Sequence, residues 1–98
     1  MSVQTELQLP SDSALKNAAK LSVTEDKPIM LDYWSDSCGE CASVLIGVKS
    51  NDEKLLVRSE DEYTSPISKI FKVCDEYIIM TENSIYIVSV TIPTKRIS

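Results

Sequence analysis

KPIMLDYWSDSCGECASV, residues 27–44, holds the adjacent aromatics Tyr33-Trp34 and the chain's single CxxC, Cys38-Gly39-Glu40-Cys41. The residues after the second cysteine decide the fold. Residues 42–49 read ASVLIGVK, with β-branched side chains at 44, 46 and 48 and a glycine at 47. Apolar residues here recur every second position, the period of a strand and not of a helix. A helix starting at Cys41 would be short and would oppose its own local preference. We therefore read residues 43–49 as a strand with Val44, Ile46 and Val48 on one face. Gly47, in mid-strand, marks a bulge or a sharp bend.

Working outward, Ser50-Asn51-Asp52 makes a polar turn, and EKLLVR (53–58) returns to form a hairpin. SEDEYTSP (59–66) is an acidic connection. Three β-rich runs come next: SKIFKVC (68–74), EYIIMT (76–81) and SIYIVSV (84–90), separated by hairpin-sized breaks at Asp75-Glu76 and Glu82-Asn83. They read as an antiparallel meander. Residues 91–98 form a tail or a last edge strand interrupted by Pro93.

Upstream, Ile29 to Trp34 reads as a strand after Pro28. Ser11-Asp12-Ser13 offers good N-cap residues, and a helix is expected from Asp12 to about Leu21. It would carry Ala14, Leu15, Ala18, Ala19 and Ser22 on one side. That stripe is mostly alanine, so the helix should lie close against a surface and not build a core of its own. Trp34 and Phe71 are expected as core aromatics, and Cys74 as a small core residue at a strand end. Tyr33, Tyr77 and Tyr86 should lie on strand faces with hydroxyls near solvent. The reading is mainly β (β-rich α+β): about six antiparallel strands as a small barrel or a curved sheet, with one short N-terminal helix. Residues 1–10 form an arm and 11–98 a single β-rich domain.

At 98 residues the chain can bury one core without staples. Its formal charge of −5 disfavours nucleic-acid or anionic-membrane partners. No apolar run approaches the ~18–20 residues that span a bilayer. The first ten residues lack a basic region followed by an apolar core, which makes an intracellular, cytoplasmic setting the expectation. An odd count of three cysteines does not suit a secreted disulfide framework. With no histidine in the chain, Ser–His and Cys–His nucleophile pairs are excluded. A zinc site would need Cys38, Cys41, Cys74 and a carboxylate. No glycine-rich phosphate loop exists, and neither a cofactor nor a metal is expected.

Lys27, Pro28, Ile29, Leu31, Asp32, Tyr33, Trp34, Cys38, Gly39 and Cys41 together resemble the active-site segment of the thioredoxin family. Thr91-Ile92-Pro93-Thr94 is similar to that family's cis-proline loop. The resemblance implies a dithiol–disulfide oxidoreductase with Cys38 as nucleophile and Cys41 as resolving thiol. Asp32 would be a buried carboxylate assisting proton transfer, and Pro93 would shape the substrate groove. The likeness covers residues 27–44 and the proline loop. Ser37 stands where the family carries an aromatic residue, and the chain ends five residues beyond Pro93, without the family's closing hairpin and helix.

From Leu31 onward the chain also resembles small β-rich proteins of large double-stranded DNA viruses. That likeness implies a virion component or an assembly partner. Weighing both, the expected role is a non-catalytic structural or protein-interaction module. Its partner would be another protein or a second copy, met through a sheet edge or through the acidic loop. In that loop Glu60, Asp61 and Glu62 supply charge and Tyr63 an aromatic anchor. The dithiol oxidoreductase using Cys38 and Cys41 is the alternative.

Overall fold

The computed structural model describes residues 9–37, 44–59 and 61–97, with Ser35 and Asp36 described in their backbone only. The expected N-terminal arm therefore lies, up to Gln8, outside the described residues.

Helix α1 spans Asp12–Glu25, one turn longer than its alanine stripe suggests. The Ser11 hydroxyl caps it by accepting from the Ala14 N–H at 3.2 Å, and also donates to the Glu76 carboxylate at 2.7 Å. One side-chain oxygen thus closes a helix end and satisfies a buried acid on a distant strand. The helix ends at Asp26, which takes the left-handed conformation (φ 56°), and the Lys27 N–H closes back on the Ser22 carbonyl. Ala14 and Ala18 are fully buried. Having no side chain beyond Cβ, they let the helix axis approach the sheet closely, as expected from the stripe.

That sheet has the order β1-β6-β5-β4, built from Ile29–Met30, Ile85–Ser89, Glu76–Thr81 and Ile67–Val73. β4, β5 and β6 form the expected antiparallel meander. A second sheet, ordered β3-β2-β7, contains Lys54–Val57, Leu45–Val48 and Thr94–Arg96. β2 and β3 form the expected hairpin, closed by the Lys49 N–H to the Glu53 carbonyl at 2.8 Å.

The layering comes from side-chain alternation on β5 and β6. Ile78, Met80, Ile85 and Ile87 point to one face and pack with Ala14, Ala18 and Trp34. Ile79 and Val88 point to the other, where they meet Val44, Ile46, Leu56, Ile92 and Tyr33. The four-stranded sheet thus has α1 on one face and the three-stranded sheet on the other. Strands covered on both sides must be apolar at nearly every position, which is why EYIIMT and SIYIVS show no alternation.

The fold is mainly β, with two small sheets and one long helix, and several finer expectations change. Seven strands are present among the described residues, and two of the pairings, β1 with β6 and β2 with β7, are parallel. The sheets stay separate and do not close into a barrel. The first strand stops at Met30, because its ladder with β6 holds only Ile29↔Ile85 and Met30↔Tyr86. The chain then turns into α2, a single helical turn over Trp34–Ser37. This turn sends Tyr33 into one cluster and Trp34 into the other.

Gly47 lies in an unbroken ladder between Leu55 and Lys95. Its missing side chain makes room for Ile97, whose Cδ1 would lie 2.7 Å from a Cβ at this position. The bulge occurs instead in β4, between Ile67 and Lys69. Cys74 is exposed, not buried. It sits in the β4–β5 turn with φ 54°, a left-handed conformation that points it away from any core. Phe71 is not a core aromatic either: it is 38% exposed.

Candidate functional site

The residues implied by the thioredoxin resemblance do not assemble into a described site. Cys38 and Cys41 lie outside the described residues. Asp32 is exposed, in the turn after β1. Pro93 is exposed and joined by a trans bond, since no described peptide bond is cis. Its carbonyl accepts the Ile46 N–H at 2.9 Å and so starts the parallel β2–β7 pairing. The backbone is extended from Leu45 to Val48, so a helix beginning at Cys41 would have to end before that strand.

Ser37, where that family has an aromatic residue, is fully buried and holds structure together. Its hydroxyl donates to the Trp34 carbonyl at 2.6 Å and accepts the Ser89 N–H at 2.9 Å. The Ser37 carbonyl in turn accepts from the Thr91 hydroxyl at 3.3 Å. These bonds fasten α2 to the end of β6.

In the acidic loop, Glu60 lies outside the described residues. Asp61 is exposed, and Tyr63 is 60% exposed. Glu62 folds back on β3: its carboxylate stands 3.6 Å from the Arg58 guanidinium, and its carbonyl accepts the Arg58 N–H. Arg58 also lies over the Tyr33 ring, 5.7 Å from its centroid. Tyr33 packs edge-on against Tyr86 at 5.3 Å. Burial pushes the Tyr33 phenol up from its ordinary value. Tyr86, Glu62 and Asp32 add to that rise, and Arg58 opposes it. The loop's charge is thus partly spent on holding its own hairpin.

A different surface stands out, the outer edge of β4. α1 packs mainly over β1, β5 and β6, and of β4 only Val73 joins the helix-side cluster. The register fixes which way each side chain points. Phe71 opposes Ile78 and Val73 opposes Glu76 on the helix side, whereas Ile70 opposes Ile79 and Lys72 opposes Tyr77 on the other. Lys69, paired with Met80, falls on the helix side.

Ile70 and Phe71 are 37% and 38% exposed, one on each face. Beside them run two grooves. One, about 560 Å³, lies between α1 and β4 and is lined by Lys20, Leu21, Phe71, Val73 and Ile78 among others. The other, about 520 Å³, lies between β4 and the β2–β3 turn and is lined by Asp52, Glu53, Lys54, Ile67, Lys69 and Ile70 among others. The sequence did contain a signal for this surface. ISKIFKV carries two lysines three apart among Ser68 and four apolar residues, the pattern of an edge and not of a core strand.

Among the described residues no group of acidic or thiol side chains could hold a metal ion, and no helix is long and apolar enough to cross a membrane. No family model matches the chain, and neither a curated protein nor a solved structure matches it.

Proposed function

We propose that the protein is a non-catalytic interaction module that receives a strand of another protein along β4. One observation carries this reading: a seven-residue strand whose outer edge has no partner strand among the described residues and whose two central side chains, Ile70 and Phe71, remain exposed. An edge of that length presents a row of main-chain donors and acceptors, and grooves on both faces can take alternate side chains of an added strand. The wider role, as a virion or assembly component of a large DNA virus, rests on the sequence resemblance. The acidic loop is the lesser surface, because Glu62 is already paired with Arg58.

Chemical-shift mapping of the full chain with strand-forming octapeptides tests the reading. Perturbations running along Ile67–Val73 would support it. Perturbations centred on Asp61–Tyr63 would transfer the role to the acidic loop, and none in either place would remove it.

A further inference from the structure

We infer that the occupant of the β4 edge is an extended peptide of the pattern acidic–apolar–apolar–acidic, and that the same strand turns away a second copy of this chain. The inference rests on the reading of β4 as a docking edge and specifies the chemistry of what docks there.

The chain carries 15 acidic and 10 basic residues, yet the described part of β4 is purely cationic, with Lys69 and Lys72 flanking Ile70-Phe71. Neither lysine has an ion pair among the described residues, nor does Lys20 on the facing wall of the α1–β4 groove. Three cations without an ion pair among the described residues therefore border an exposed apolar pair, and the two acids that line the second groove, Asp52 and Glu53, are already paired with Arg96 and Lys49.

An added strand places one residue opposite each β4 residue, on the same face. It would set a carboxylate opposite Lys69 on the helix side and another opposite Lys72 on the far side. Two apolar residues between them would oppose Ile70 and Phe71. The two acids must then be three positions apart. That pattern reads the same in both directions, so a parallel or an antiparallel strand satisfies it equally.

A second copy does not fit as well. Two β4 strands joined into one continuous sheet must run antiparallel about an axis perpendicular to it, and facing residues must share a face. The axis then passes through a residue of β4: at Lys69 or Lys72 that lysine faces its own symmetry mate directly, which leaves Ile70 or Phe71 as the central choices. The first choice sets Lys69 diagonal to its own symmetry mate, and the second does the same with Lys72, at about 7–8 Å. Lysines on an edge strand are a known guard against such pairing. Here they also select, because what repels a copy attracts an acidic strand.

The test is fluorescence anisotropy with the full chain and two labelled peptides, acetyl-TVEVVEVT-amide and its charge reverse, acetyl-TVKVVKVT-amide, repeated on the double variant Lys69→Glu/Lys72→Glu. Both lysines are exposed, so the variant should keep the wild-type circular dichroism spectrum. The wild type should bind the acidic peptide about ten-fold more tightly than the basic one, and the double variant should reverse that order. Equal binding of both peptides would overturn the charge selection and leave the docking edge standing. Failure of both to bind the wild type at millimolar concentration would overturn the docking edge itself. A dimer in sedimentation that the double variant abolishes would make the occupant a second copy, and would overturn the inference.

Discussion

Phe71 and Ile78 face each other across the β4–β5 ladder, yet Ile78 is fully buried and Phe71 is more than a third exposed. The helix ends the symmetry: α1 packs mainly over β5 and β6, and of β4 only Val73 joins the helix-side cluster. Truncating the two side chains should therefore have unequal effects. Ile78→Ala should lower stability by about 3 kcal/mol, as for a cavity in a packed core. Phe71→Ala should cost about 1 kcal/mol, well under the usual value for a buried aromatic. Urea denaturation of the two variants checks this, and equal losses would mean that Phe71 is covered.

Cys74 turns the β4–β5 hairpin with φ 54°, a region that asparagine occupies with less strain than cysteine. Cys74→Asn should raise stability by about 0.5–1 kcal/mol. An unchanged or lowered denaturation midpoint would place the turn in another conformation.

In the second sheet, a Cβ at position 47 would meet Ile97 at 2.7 Å and Val57 at 3.1 Å. Gly47→Ala should cost about 1–2 kcal/mol by overpacking. In an Ile97→Ala background the same change should cost less than half as much, since the nearest clash is gone. Additive effects in the double-mutant cycle would show that the two residues are not in contact.

The Tyr33 phenol titrates above its ordinary value of 10.0, chiefly because it is buried. The unfolded chain therefore loses that proton first as pH rises. The resulting stabilisation is complete below about pH 10 and falls away as pH climbs through the folded-state value. Tyr33→Phe should show a shallower loss of stability above about pH 10 than the wild type. Parallel pH profiles for the two proteins would show that Tyr33 is exposed to solvent.

Much of this architecture was legible before any coordinates. The period-two run from Val44 to Val48, the Ser50-Asn51-Asp52 turn and the three β-rich runs after residue 66 gave the hairpin and the meander, because local patterning and turn chemistry set those pairings. Ser11 announced the helix start. What local pattern does not encode is which strands lie beside one another. β1 and β7 join their sheets by parallel pairings to strands distant in sequence, β6 and β2, and nothing in IM or TKR specifies a neighbour. The nearly continuous apolar run of residues 29–34, broken only by Asp32, read as a strand for the same reason. Its aromatics separate into two clusters through a helical turn that no periodicity marks. Phe71 was assigned to the core by its apolar character, whereas Lys69 and Lys72 on the same strand pointed to an edge.

Amide hydrogen exchange of the free, monomeric protein, resolved to single residues, bears most directly on the open edge. Along Ile67–Val73 alternate N–H groups should exchange orders of magnitude faster than those of β5 and β6, because every second one points outward with no strand among the described residues to receive it. Uniformly slow exchange along the whole of β4 would mean that its outer edge is already occupied, and the docking role would have to be given up.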